Sequence, residues 1–156
     1  VNPYLGSDSV EPFLEYVDKG TFVLCRTSNP GSGDFQSLLV DGTPLYEAVA
    51  MKAQSWNKEN NVGLVVGATY PDELKRVRAL CPLLPILIPG IGTQGGDIST
   101  SVHMGMDSLG LGAIVNVSRQ VLYAAKSKNF AEAARRVAND LRQQIEKARE
   151  ANGFRW

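Results

Sequence analysis

One histidine, two cysteines and no surplus of charge are what this 156-residue sequence has least of. The 16 Lys and Arg balance the 16 Asp and Glu. No global positive field exists to hold a polyanion, which argues against nucleic acid or an anionic membrane as the main partner and leaves local phosphate binding open. No apolar run approaches the ~20 residues that span a bilayer, and the polar start VNPYLGSDS lacks the charged head and apolar centre of a secretory signal. The expectation is a soluble, unexported, cytoplasmic chain. Cys25 and Cys81 sit in separate apolar segments with no CxxC pair, as reduced core thiols do. No cluster has zinc or calcium spacing, so no metal is expected. His103 has no carboxylate or second histidine at ligand spacing and reads as structural, and Trp56 and Trp156 read as packing residues.

What is present is a rhythm of short β-rich runs alternating with amphipathic stretches, the pattern of βα units around a parallel sheet. Runs at 21–25, 62–66, 85–88 and 111–115 are predicted strands, and their continuous hydrophobicity fits burial on both faces. Predicted helices cover 9–18 (capped by Ser7 or Asp8), 45–56, 71–80 behind Pro71, a short turn from Asp97 or Ser99 to about Met104, and 120–125. The last helix carries Phe130, Ala134, Val137, Leu141, Ile145 and Ala148 on one stripe, which should pack outside the sheet. The stretch 29–43, broken by Pro30, Gly31, Gly33 and Gly42, is long for a connection and is expected to be a mobile lid or an unstructured excursion. One domain spans 1–156. An eight-unit βα barrel needs roughly 250 residues, and VNPYLG already resembles the carboxyl end of a strand running into a helix, so a segment upstream is expected to be missing.

Ligands of parallel sheets bind beyond the carboxyl ends of strands, which singles out the polar and glycine-rich residues just after each run. Gly90–Gly95 spells GxGxxG, but late in the chain and without an acid ending the next strand, so a dinucleotide site is disfavoured. It reads better as a loop whose backbone N–H groups meet an anion, helped by the Gln94 carboxamide. Arg119, next to Ser118 at the start of a short helix after the last strand, offers a fork-shaped cation to phosphate oxygens. Thr27 and Ser28 supply hydroxyls suited to the amide edge of a base. Cys25 and Cys81 are poorly placed as nucleophiles.

Together VNPYLGSDS, VLCRTSNPGS, VGLVVGATYPDELKRVR, PILIPGIGTQGGD and NVSRQVLYA resemble, in this order and over nearly the whole chain, the carboxyl-terminal five βα units of the orotidine 5′-phosphate decarboxylase family. PGIGTQGGD and NVSR are the specific parts. The resemblance implies an α/β fold, a TIM (β/α)8 barrel of which this chain supplies roughly strands 4–8. It implies a lyase of pyrimidine synthesis that converts orotidine 5′-phosphate to uridine 5′-phosphate and CO₂ without a cofactor, working as a homodimer. Gln94 and Arg119 would grip the phosphate with Ser118 helping, Ser28 with Thr27 would read the pyrimidine, and Pro89 would line the base pocket. The family's catalytic lysine and Asp-x-Lys-x-x-Asp motif do not occur here: Lys19, Lys52, Lys58, Lys75, Lys126, Lys128 and Lys147 all fall on predicted helices or their ends. No catalytic residue is therefore assigned, and the chain alone is expected to be inactive, associating with a missing amino-terminal half-barrel or with itself. The alternatives are a noncatalytic phosphate- or nucleotide-binding βα module and another sugar-phosphate barrel enzyme.

Overall fold

The four apolar runs all become strands of one parallel sheet, and the connections between them set where ligands can reach it. The computed structural model describes residues 1–92, 95–126 and 128–155. After a 3-10 turn at Pro3–Leu5 come α1 (Ser7–Leu14), β1 (Thr21–Arg26), a second 3-10 turn (Pro30–Ser32), α2 (Gly33–Gln36), β2 (Leu39–Val40), β3 (Thr43–Pro44) and α3 (Leu45–Trp56). Then follow β4 (Val62–Val66), α4 (Pro71–Leu80), β5 (Ile86–Ile88), α5 (Ile98–Gly105), β6 (Ala113–Val115), α6 (Arg119–Leu122) and α7 (Phe130–Ala151). The sheet order is β1-β4-β5-β6, all pairs parallel. Residues 111 and 112 stay outside β6 because Gly110 and Gly112 take positive φ (72° and 77°), which no strand accommodates.

The two faces of the sheet differ. Val23, Leu64 and Ile86 pair in register and are fully buried under the helices with Ala50, Ala53, Leu74, Val77 and Val102. Each Val, Leu or Ile among them contributes about 1.5–3 kcal/mol by leaving water. On the opposite face Leu24, Val65, Leu87 and Ile114 form a second register row, whose outer members are 37% and 44% exposed. The continuous apolar runs thus make two apolar faces, of which the helices of this chain cover one. Successive helices α3, α4, α5 and α7 touch in turn as one layer, the arrangement of a βα barrel and not of a sheet wound on both sides. At the edge of β1, Val1 donates to Phe22 O (2.6 Å) and accepts from Leu24 N (2.8 Å), the hydrogen-bond pattern of a parallel partner, as the strand-like VNPYLG anticipates.

Two expectations are corrected. The first helix runs from Ser7 to Leu14, not 9–18, and Gly6 at φ 90° takes the cap position without a side-chain bond. Only Val10 is buried along it; Phe13 and Val17 are 51% and 61% exposed, so their spacing had no surface to pack on. The 29–43 stretch is folded and not an unstructured excursion: after α2 it turns back as a hairpin, Val40 paired with Thr43. Asp41 and Gly42 both have positive φ (51° and 79°), the Asp-Gly pair that a two-residue hairpin turn prefers. On α7, Ala133, Leu141 and Ala148 are buried with Val137 and Ile145 against the core, but Phe130 is 62% exposed.

Candidate nucleotide site

Because the strands are parallel and in register, their carboxyl ends form one rim, on which Thr27, Gly67, Pro89 and Asn116 follow β1, β4, β5 and β6. Backbone bonds lock the rim together: Gly67 N donates to Arg26 O and Ala68 N to Pro89 O (2.8 Å each), and Asn116 N to Ile88 O (3.1 Å). Three strand spacings separate its ends, ~14 Å, the scale of a nucleoside monophosphate.

At the β5–β6 end the rim holds a cleft of about 170 Å³ lined by Pro89, Gly90, Asn116, Ser118, Arg119 and Gln120 among others. Arg119 is exposed there, and its guanidinium makes no hydrogen bond or ion pair with a described residue. Ser118 Oγ donates to Asn116 Oδ1 (3.1 Å). Gln94 lies outside the described residues. Gln120, which the sequence did not single out, brings its Oε1 so near Gly92 that a Cβ there would lie only 2.7 Å from it. Within the glycine loop, Gly92 N donates to Gly96 O (3.1 Å), Gly95 N to Gly92 O (2.8 Å) and Gly96 N to Gly90 O (3.1 Å). These three N–H groups hold the loop's own shape. Asp97 then caps α5, its Oδ1 accepting from Thr100 N (2.7 Å), and that bond lowers its pKa.

At the β1 end, Thr27 and Ser28 are half-buried. The Thr27 hydroxyl donates to Asn29 Oδ1 (2.6 Å) and accepts from Gln36 Nε2 (2.9 Å), while Ser28 O accepts from Thr69 Oγ1 (3.4 Å). Beneath them a bulge shifts the β1–β4 register between Leu24 and Arg26. In a regular strand Arg26 would alternate away from Cys25. The bulge instead lets both reach the covering helices: Cys25 Sγ donates to Tyr46 O (3.2 Å), and Arg26 is ion-paired with Glu73 of α4 and stacked 4.3 Å from the Tyr70 ring. Sequence pattern carries no signal for that bulge.

The cysteines, His103 and Trp56 make contacts within the fold. Burial pushes the Cys25 thiol up to about 12 and the Cys81 thiol to about 11, so neither is a nucleophile at neutral pH. Both are free and buried. His103 Nδ1 contacts Asn152 Oδ1, and Trp56 Nε1 donates to Ser7 Oγ (3.2 Å). Trp156 lies outside the described residues. None of the seven lysines follows a strand. Among the described residues no group of three or more His, Cys, Asp or Glu is placed to hold a metal, and no helix is long and apolar enough to cross a membrane.

Comparison with known proteins agrees with this geometry. The chain is 53% identical over 150 residues to an orotidine 5′-phosphate decarboxylase of Cupriavidus necator, covering 96% of this chain and 55% of that one. Among solved structures it is similar to Leishmania donovani UMP synthase (48% identity, TM-score 0.80, 92% of this chain and 32% of that one). It is similar also to Leishmania donovani OMP decarboxylase (45% identity, TM-score 0.78, 92% and 55%). The chain therefore spans about half the length of the relatives it matches. Its parallel sheet with one layer of helices is part of a βα barrel. Residues 1–137 match the family model of orotidine 5′-phosphate decarboxylase / HUMPS, and the chain belongs to that family.

Proposed function

We propose that this chain is the nucleotide-holding portion of an orotidine 5′-phosphate decarboxylase, a carboxy-lyase that forms uridine 5′-phosphate in pyrimidine synthesis. The observation that carries the proposal is Arg119, an exposed cation without a partner among the described residues, in a cleft with Ser118 and Pro89, at one end of a rim whose other end carries Ser28. Arg119 with Gln94 holds the phosphate, Ser118 assists, Ser28 with Thr27 beside it reads the pyrimidine edge, and Pro89 lines the pocket between them. Loss of CO₂ from carbon 6 of the base leaves a carbanion that no ring or cofactor delocalises. The protein has to place a fixed cation there and then deliver a proton. The phosphate grip acts at a distance, its binding energy orienting the reacting ring. None of the seven lysines of this chain immediately follows a strand, so cation and proton come from the remainder of the full-length protein. That remainder also covers the Leu24–Val65–Leu87–Ile114 row as the other half of the barrel, and the enzyme is a cytoplasmic homodimer.

Arg119→Ala in the full-length protein tests the reading. The variant loses a charge-assisted, fork-shaped contact, so its Kd for uridine 5′-phosphate rises roughly 10- to 100-fold by titration calorimetry. Unchanged affinity for the nucleotide would remove Arg119 from the site.

A further inference from the structure

The folded segment between β1 and α3 makes a specific connection back to the rim. Gln36, the last residue of α2, points its carboxamide at the β1 end: Oε1 accepts from the Thr27 N–H (2.9 Å) and from Arg26 Nη1 (3.3 Å), and Nε2 donates to Thr27 Oγ1 (2.9 Å). The amide orientation is forced, because a backbone N–H and a guanidinium are donors only. Arg26 is itself immobile. It is 2% exposed, paired with Glu73 at the start of α4 and stacked on Tyr70. Gln36 therefore ties the Thr27 peptide to a buried ion pair on one side. On the other, Thr69 Oγ1 holds Ser28 O (3.4 Å), and Gly67 approaches so closely that a Cβ there would meet Ser28 N at 2.8 Å.

We propose that Gln36 is a positioning residue for base recognition: through the Thr27 peptide it fixes where Ser28 stands, without touching the nucleotide. The proposal rests on Ser28 meeting the pyrimidine edge. It assigns Gln36 of the 29–43 segment the task of a brace. Removing the carboxamide leaves the Thr27 N–H without its partner, takes one of the two bonds from the Thr27 hydroxyl, which keeps Asn29, and frees the peptide that precedes Ser28. Displacements of about 1 Å at a binding group are costly even when its chemistry is intact.

The test uses the full-length protein and two ligands, uridine 5′-phosphate and ribose 5-phosphate, which shares the phosphate but has no base. Gln36→Leu is expected to raise Kd for uridine 5′-phosphate on the order of tenfold and to leave the Kd for ribose 5-phosphate, followed by ³¹P NMR, unchanged. Gln36→Glu keeps an acceptor for the Thr27 N–H and Arg26, so it recovers affinity to within about threefold of the parent. The proposal is overturned if Gln36→Leu binds uridine 5′-phosphate as the parent does, or if it loses both ligands alike, which is the mark of a purely structural defect. Ser28→Ala separates the two levels. If it leaves nucleotide affinity intact, the assignment of Ser28 fails and Gln36 falls with it. If it weakens the nucleotide while Gln36→Leu does not, Gln36 alone falls.

Discussion

Gly67 shows how a position with no side chain decides where another side chain stands. A Cβ at 67 would lie 2.7 Å from Ser28 Cβ, 2.8 Å from Ser28 N and 2.9 Å from its Cα. Two of these atoms are backbone and cannot swing aside, so Gly67→Ala must push the Ser28 peptide off the rim. Gly63, near the amino end of the strand that Gly67 follows, is also tight, with the Phe22 ring at 2.5 Å from its would-be Cβ. Overpacking costs roughly 1–3 kcal/mol at either site. Both alanine variants are therefore expected to melt several degrees lower, and only Gly67→Ala to weaken uridine 5′-phosphate binding. Equal ligand affinity in the two variants would show that the Gly67–Ser28 contact has no bearing on the nucleotide. Residues immediately after strands, such as Ser28, Gly67 and Ser118, are legible in sequence because parallel sheets present them on one rim. Gln36 and Glu73 are not, since they meet Arg26 across 10 and 47 residues through contacts that only the folded chain creates.

Elements were legible where local pattern and tertiary packing agree. Both β4 and α3 occupy the segments their patterns predict, because β4 lies inside the sheet and α3 has a buried stripe of Tyr46, Ala50 and Ala53. The first helix stopped short where its stripe met solvent, and the hairpin was hidden by reading Asp41-Gly42 as a breaker and not as a turn. What joins α4, α5 and β6 at the amino end of the sheet was not legible either. Arg78 is buried, with the Asp107 carboxylate near enough to favour its charge, and donates to Gly105 O (2.9 and 2.6 Å), Leu84 O (2.8 Å), Cys81 O (3.0 Å), Pro82 O (3.2 Å) and Gly112 O (3.3 Å). Desolvation lowers its pKa, but arginine starts so high that it stays charged. Arg78→Met keeps much of the apolar stem and strands these carbonyls, at about 3–5 kcal/mol. A melting temperature on the order of 10 °C lower is expected, with nucleotide affinity per folded molecule unchanged. A loss under about 3 °C would mean water replaces the guanidinium at little cost.

At the scale of the whole molecule the two ends of the sheet have different tasks. Arg78, and Arg149 with its bond to Gly110 O (2.8 Å), tie down the amino-end connections. The carboxyl end carries the cleft and the strand end with Thr27 and Ser28, the division barrels use to separate stability from chemistry. Between the ends runs the Leu24–Val65–Leu87–Ile114 row, open to solvent at Leu24 and Ile114. Edge strands and uncovered apolar rows favour association, so the chain's own surface supplies an incentive to join a complementary half-barrel. On the proposed function, joining also supplies the cation and proton donor that face carbon 6. Phosphate and base contacts without that pair bind a nucleotide but do not lower the barrier to carbanion formation. The 156-residue chain alone is therefore expected to show no loss of orotidine 5′-phosphate absorbance over the uncatalysed rate. Mixing it with the separately expressed remainder of the full-length protein is expected to restore turnover. Decarboxylation by the chain alone would place a proton donor among these residues and overturn the assignment of the missing lysine to the remainder.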